Sequence, residues 1–369
     1  MANKTKILHL YSDEKFYNFI KLTFNIDELS NTYLNLSENN SNINIDDYSA
    51  IIVHYLDTLS INFIKQHEIV QPIVWFFWGG DGFSLGKFTY LFLENKTKKA
   101  RIKLAFQKSF VFGIKQIIKL IYPELLDYQK YTKHKINIIE KFRLIVPIMP
   151  GDYDILKNKY QITPPKLHLN YANPLFSYKI FPKTNGTNIL LGNSASYTNN
   201  HIEAIDWLKK KKLNSRKVII PLNYGDKQLA SHIKKYAIKE LGAENVIILE
   251  EFLPFEDYNK IVMSCNVLIM NHKRQQALGN IVQALLTGAH IYFNKNSTIY
   301  KYLKENNVIC SDISCCNSIR ALEANEQELN RKKANELFGP ERQHNKVREM
   351  IQFLTKQQDV SSQNSHFRY

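Results

Sequence analysis

Asn266-Val267-Leu268-Ile269-Met270-Asn271-His272-Lys273-Arg274-Gln275-Gln276-Ala277-Leu278-Gly279-Asn280 opens as a short apolar run and turns into a polar loop. The loop holds two adjacent cations and two amides, and its glycine opens the helical spacing of residues 281–286. An apolar run of this length between polar loops reads as a buried strand of a parallel sheet. Four more such runs stand in the same half of the chain, at residues 188–191, 217–220, 245–248 and 290–293. Polar, helix-like segments separate them. Alternation of this kind implies a parallel sheet with helices on both faces.

The first half follows the same pattern. Residues 6–10, 50–55, 72–78, 143–147 and 166–169 read as strands, and helical spacing occupies 16–24, 61–69 and 152–160. The turn-rich stretch 181–186 is the candidate linker. The chain is therefore expected to be an α/β protein of two Rossmann-like domains facing across a cleft. The first domain is expected at 1–183 and includes a basic segment at 95–122; the second is expected at 184–338. A C-terminal helix at 339–357 is able to pack back on the N-terminal domain, and 358–369 reads as a flexible tail.

Composition narrows the class. A length of 369 residues suits two cores better than one, and 44% hydrophobic residues exclude a disordered chain. The net charge of +15 calls for nucleic acid, an anionic membrane face or a phosphorylated substrate. Cys265, Cys310, Cys315 and Cys316 form no C-x-x-C pair, so no zinc site is expected and a reducing compartment is the simpler setting. The N-terminus lacks the long apolar core of a signal peptide. No apolar run approaches the roughly 18 residues of a membrane span.

Ligands of open α/β sheets bind beyond the carboxyl ends of the strands. Two stretches of the second half stand there. In Leu191-Gly192-Asn193-Ser194 a strand runs into a small polar loop, and Asn199-Asn200-His201 then opens a helix. Glycine allows close backbone approach, and the Asn and Ser side chains can donate to phosphate or ribose. An ordinary βα connection with an Asn N-cap has the same composition. The second stretch is the opening one. A helix N-terminus carries unpaired N–H groups and positive dipole, so Gly279 and Asn280 suit a diphosphate. Arg274 adds bidentate contacts to phosphate that Lys273 does not match, with Gln275 and Gln276 beside it. A solvated basic loop is the competing interpretation.

In the first half, His54 and Asp81 stand at strand ends. Asp81 lies in Gly79-Gly80-Asp81-Gly82, where the glycines would let a carboxylate protrude and act as a base. Asp also stabilises turns, and a histidine in a strand is often a core residue.

These motifs together resemble the bacterial TDP-N-acetylfucosamine:lipid II N-acetylfucosaminyltransferase family, over about residues 51–302. The resemblance rests on Trp75-Phe76-Phe77-Trp78-Gly79-Gly80-Asp81, Leu191-Gly192-Asn193-Ser194 with Asn200-His201, and Pro221-Leu222-Asn223-Tyr224. It continues through Phe255-x-x-Tyr258 and Arg274-Gln275-Gln276-x-x-Gly279. Where the family pattern reads Arg-Gln-Gln-Gly-Ile-Gly, this chain has Ala277 and Leu278 in the middle. Membership implies the GT-B fold and a TDP-linked 4-acetamido-4,6-dideoxyhexose donor. It also implies a polyprenyl-diphosphate-linked saccharide acceptor and work on the cytoplasmic face of the bacterial inner membrane. Donor contacts are then expected from Gly192, Asn193, Ser194, Asn200, His201, Tyr224, Arg274, Gln275, Gln276, Gly279 and Asn280. The resemblance further implies an α-linked product from an α-linked donor, hence retention, with Asp81 orienting acceptor or sugar. No cofactor is expected, and no metal, since no Asp-x-Asp stands at a strand end.

Residues 95–122 carry eight basic side chains and no acidic one, interleaved with apolar residues. That mixture suits a surface lying on anionic lipid, and equally a helix with a solvated basic face. A transferase using another nucleotide sugar, such as a UDP-hexose, is the nearest rival, followed by a non-catalytic scaffold. A nucleic-acid-binding protein also fits the charge, but no DNA- or RNA-binding module is recognisable, so no nucleic acid partner is expected.

Overall fold

A computed structural model of the chain describes residues 4–38, 43–85, 88, 90–122, 129–172, 174–177 and 183–365. Phe181 and Pro182 of the expected linker, and residues 366–369 of the expected tail, lie outside the described residues.

The chain divides into two compact units. The first comprises Met1–Leu85, Gln129–Ser177 and Leu337–Tyr369. Its sheet holds β1 (Thr5–Tyr11), β2 (Leu29–Asn35), β3 (Ala50–His54), β4 (Ile73–Phe77) and β5 (Leu144–Pro147), all parallel, in the order β2-β1-β3-β4-β5. Every residue of β3, β4 and β5 is buried, which is why those runs read as continuously apolar. The edge strand β2, Leu-Ser-Asn-Thr-Tyr-Leu-Asn, buries only Leu29 and Leu34 and carries no comparable signal. Residues 166–169, expected as a strand, make a single bridge from Lys166 to Ile145.

The second unit comprises Gly86–Tyr128 and Tyr178–Glu336. Its strands are β6 (Asn188–Leu191), β7 (Val218–Pro221), β8 (Val246–Leu249), β9 (Cys265–Met270), β10 (His290–Phe293) and β11 (Ser311–Asp312). They are parallel, in the order β11-β10-β9-β6-β7-β8. From β6 the chain winds one way through β7 and β8, then returns to β9 on the other side of β6. That reversal opens a crevice at the carboxyl ends of β6 and β9, where open α/β sheets bind ligands.

One boundary differs from the expected division. The basic segment 95–122 belongs with the second unit, not the first. Ala100 and Leu104 of helix Asn95–Lys108 join the second unit's core with Ile202, Ile205 and Leu229. Thr97 donates from its backbone (2.8 Å) and hydroxyl (2.6 Å) to Glu203. Helix Pro340–Ser365 packs with the first unit: His344 bonds Leu22 O (3.2 Å) and Arg348 pairs with Glu28 (2.7 Å). That helix continues past residue 358, where the sequence had suggested a tail.

Candidate functional site

The loops after β6, β7 and β9 are tied into one polar framework. Gly192 ends β6 at φ +67°. A Cβ there would lie 2.6 Å from His201 Nε2 and 2.8 Å from Asn199 Oδ1, so only glycine fits. Asn199 organises the loop. Its Oδ1 accepts from Asn193 N (3.1 Å) and lies 2.7 Å from His272 Nε2, while its Nδ2 donates to Ser194 O and Oγ. Asn193 Nδ2 donates to the Tyr224 hydroxyl (2.7 Å), and Asn193 Oδ1 accepts from Gln276 Nε2 (3.2 Å). Gln276 Oε1 accepts in turn from Thr198 Oγ1 (2.8 Å).

A second layer is centred on the buried Asn200 and Asn271. Asn200, at φ +49°, accepts from Glu94 N (2.8 Å) and donates to Phe92 O (3.0 Å) and Asn271 O (3.1 Å). Asn271 Nδ2 returns a bond to Asn200 O (3.1 Å), and Asn294 Nδ2 bonds both Asn271 Oδ1 and Glu94 Oε1. Lys273 closes the cluster on Glu94 (3.0 Å). Asn200 and His201 were expected to touch a donor. They are 0% and 2% exposed: Asn200 ties the loops together, while His201 is buried with its Nε2 unpartnered among the described residues. Burial pushes the His201 imidazole down to about 4. Ser194 and Gln275 are likewise buried.

The expected residues that do line open space are Asn193, Tyr224, Gly279 and Asn280, around a cavity of about 300 Å³. Asn223, Phe252, Leu253, Tyr258 and Ala277 complete it. Tyr224 and Phe252 are exposed, Asn280 Nδ2 donates to the Tyr258 hydroxyl (2.8 Å), and a Cβ on Gly279 would meet nothing within 4 Å. Asn223 Oδ1 is buried without a hydrogen-bond partner among the described residues. The cavity floor is the N-terminus of helix Leu278–Thr287, whose first-turn N–H groups have no intrahelical acceptor. Arg274, half-buried on the loop after β9, donates through Nη1 to Gln275 O (3.0 Å).

Ala277, the N-cap of that helix, sits at φ +55°. Glycine has no Cβ penalty there. Ala277→Gly is expected to stabilise the protein by about 1 kcal/mol, the αL relief exceeding the added chain entropy. Urea denaturation of the two proteins checks the sign.

The first-unit candidates are buried. Asp81, expected to protrude, is 2% exposed. Its Oδ2 accepts from Trp75 Nε1 (2.7 Å) and Leu56 N (3.1 Å). Lys135 Nζ donates to Asp81 O (2.6 Å) and Leu56 O (2.8 Å), a counter-charge that no local signal advertised. Burial raises the Asp81 carboxyl against the opposing pull of Lys135. The glycine turn thus folds the carboxylate inward, where it joins the ends of β3 and β4.

His54, fully buried, lies in a chain of rings. Asn31 Nδ2 donates to Phe24 O, so its Oδ1 accepts from His9 Nε2 (3.0 Å). His9 Nδ1 then accepts from His54 Nε2 (2.9 Å), and His54 Nδ1 accepts from the Tyr171 hydroxyl. Trp78 Nε1 donates to Tyr171 (3.2 Å). Every ring nitrogen is satisfied with both histidines neutral, and burial lowers both. His54 is a core residue. The Asp152-Tyr153-Asp154 sequence lies inside helix Pro150–Tyr160, with Asp152 buried and Asp154 paired to Lys166. Among the described residues no cluster of His, Cys, Asp or Glu has metal-binding geometry.

Residues 167–343 match the family model described as 4-alpha-L-fucosyltransferase, glycosyl transferase group 56. Over that span the chain is similar to the group 56 glycosyltransferases. The match agrees with the resemblance carried by the Gly-Asn-Ser and Arg-Gln-Gln motifs. Solved structures place the whole chain in the GT-B fold. Sucrose-phosphate synthase from Thermosynechococcus elongatus superposes with a TM-score of 0.60 at 8% identity, covering 95% of this chain and 99% of its own. A glycosyltransferase from Rickettsia africae gives 0.60 at 10%, covering 96% and 99%. Anabaena HepE, solved with UDP and glucose, gives 0.57 at 12%, covering 94% and 99%. At such identities the likeness establishes fold alone. Among the described residues no helix is long and apolar enough to cross a membrane.

Proposed function

We propose that the chain is a group 56 glycosyltransferase that moves a 4-acetamido-4,6-dideoxyhexose from a TDP-sugar to a polyprenyl-diphosphate-linked saccharide, at the cytoplasmic face of the bacterial inner membrane. The product would serve surface polysaccharide synthesis. The observation that carries the donor half is the cavity over helix Leu278–Thr287. Its floor offers unpaired N–H groups and positive dipole to a diphosphate, with Gly279 leaving the backbone bare. Tyr224 and Phe252 offer ring faces at its edge on which a base can stack. Arg274 stabilises the nucleoside-diphosphate leaving group as the glycosidic bond breaks, in a metal-independent reaction. Asn193 and Gln276, locked to each other, fix the loop geometry that this requires.

HepE, with its bound UDP and glucose, supports the general class and keeps a UDP-hexose donor as the second reading. Thermal shift against TDP, UDP and GDP separates them. TDP is expected to stabilise most, by about 2.7 kcal/mol at a hundred times its Kd. Equal or larger shifts with UDP would favour the hexose donor, and silence with all three would sink the donor site. Mass spectrometry of product made from a TDP-sugar panel and a synthetic polyprenyl-diphosphate disaccharide then identifies the sugar and acceptor.

A further inference from the structure

The two helices of the basic segment do different work. Helix Asn95–Lys108 is internal bracing: Ala100, Leu104 and Ala105 are buried, Lys96 pairs with Asp206 (2.5 Å) and Lys108 with Asp226 (3.4 Å). Helix Phe110–Ile121 is built the other way round. Its buried positions are Gly113 and Gln116, not its apolar residues. A Cβ on Gly113 would lie 2.4 Å from Phe106, so glycine lets the two helices pack closely. Gln116 Oε1 accepts from the Tyr90 hydroxyl (2.9 Å).

The outward face is the apolar one. Phe110 is 73% exposed, Val111 63%, Phe112 42%, Ile114 38%, Ile121 59% and Tyr122 57%. A soluble surface rarely collects so many large apolar side chains on one helix. Lys115 and Lys119 project from the same helix and make no ion pair among the described residues. No acidic residue lies between 95 and 122. At about 18 Å the helix is too short to span a hydrocarbon core of about 30 Å, so apolar insertion means lying in the interface.

We propose that helix Phe110–Ile121 docks the protein on an anionic bilayer, inserting Phe110, Val111, Ile114 and Ile121 below the headgroups while Lys115 and Lys119 pair with lipid phosphate. The surface chemistry fits lipid better than a protein partner because the helix that carries the apolar face has Lys115 and Lys119 and no acidic residue of its own. This rests on the proposed function solely for its purpose, which is to bring the enzyme to a lipid-linked acceptor.

Vesicle co-sedimentation tests it with the full chain. Wild type should bind vesicles of phosphatidylcholine containing about three parts in ten phosphatidylglycerol, and bind pure phosphatidylcholine far less. Phe110→Glu/Ile114→Glu and Lys115→Glu/Lys119→Glu should each lower partition at least ~10-fold. Both should keep the wild-type circular dichroism and turnover on a short-chain, water-soluble acceptor. Wild type that ignores anionic vesicles, or variants that partition like wild type, overturns the proposal. So does a concentration-dependent wild-type dimer that the Phe110 variant dissolves without any vesicle binding, since the face would then join two copies. Vesicle binding lost in the variants, with no TDP-sugar transferred by any protein, upholds the docking face and rejects the assigned reaction.

Discussion

Arg274→Ala should lower kcat for sugar transfer by about 10²–10³-fold and leave the melting temperature close to wild type. Charge develops on the leaving diphosphate as the glycosidic bond breaks, and a planar guanidinium meets two phosphate oxygens at once. Arg274→Lys keeps the charge but loses the fork, and should recover only part of the loss. The neighbouring cation supplies the control. Lys273 is bound to Glu94 (3.0 Å), which also receives Asn294 Nδ2, so its charge belongs to the loop framework. Lys273→Ala should therefore act on stability first and on transfer as a consequence. Steady-state kinetics beside thermal denaturation of both variants distinguishes the two roles. Full turnover by Arg274→Ala would remove the diphosphate clamp from the mechanism.

What the sequence made legible follows from where the information is local. The five apolar runs of the second half became β6 to β10; β7 and β10 are buried throughout and β6 and β9 nearly so, as strands covered on both faces must be, while the edge strand β8 is apolar without being buried. β2 escaped notice because an edge strand buries little, and β11 because two residues carry no period. The exchange of segments between units left no local trace either. Ala100 and Leu104 look alike whichever core receives them, and only long-range packing with Ile202 and Ile205 decides. The same limit applied at the site. Asn193, Tyr224, Gly279 and Asn280 follow strand ends and do reach the cavity. Asn200 follows one too, yet it turns toward backbone groups of residues 92, 94 and 271 that lie far away in sequence, and His201 beside it is buried. A polar residue near a strand end reads the same whether it faces a ligand or a carbonyl. Asp81 misled for the complementary reason: its partner Lys135 is 54 residues distant.

Acid should unfold both units over a narrow range between about pH 6 and pH 5, well above the range of carboxylate titration. Burial lowers His9, His201 and His290 to about 4 and His168 and His272 to about 3, and it holds His54 well below its ordinary value. Each is neutral in the fold and satisfied or walled in there. In the unfolded chain each takes a proton near pH 6.5. Between that value and the depressed folded ones, the unfolded state binds more protons, so stability is intact above about 6.5 and is lost as pH falls. Every such histidine contributes a slope approaching ~1.4 kcal/mol per pH unit. Three lie in the first unit and three in the second. By pH 5 their combined loss is roughly 10 kcal/mol, comparable to the ~5–15 kcal/mol that holds a typical protein folded. Tryptophan fluorescence against pH should show the transition. His290→Gln, whose amide can still serve the Arg320 carbonyl and Ser311 hydroxyl, should flatten the slope by about one histidine's share. Stability that stays level from pH 7 to pH 5 would mean that these rings take up protons without leaving the fold, and the neutral Asn31–His9–His54–Tyr171 chain would have to be redrawn.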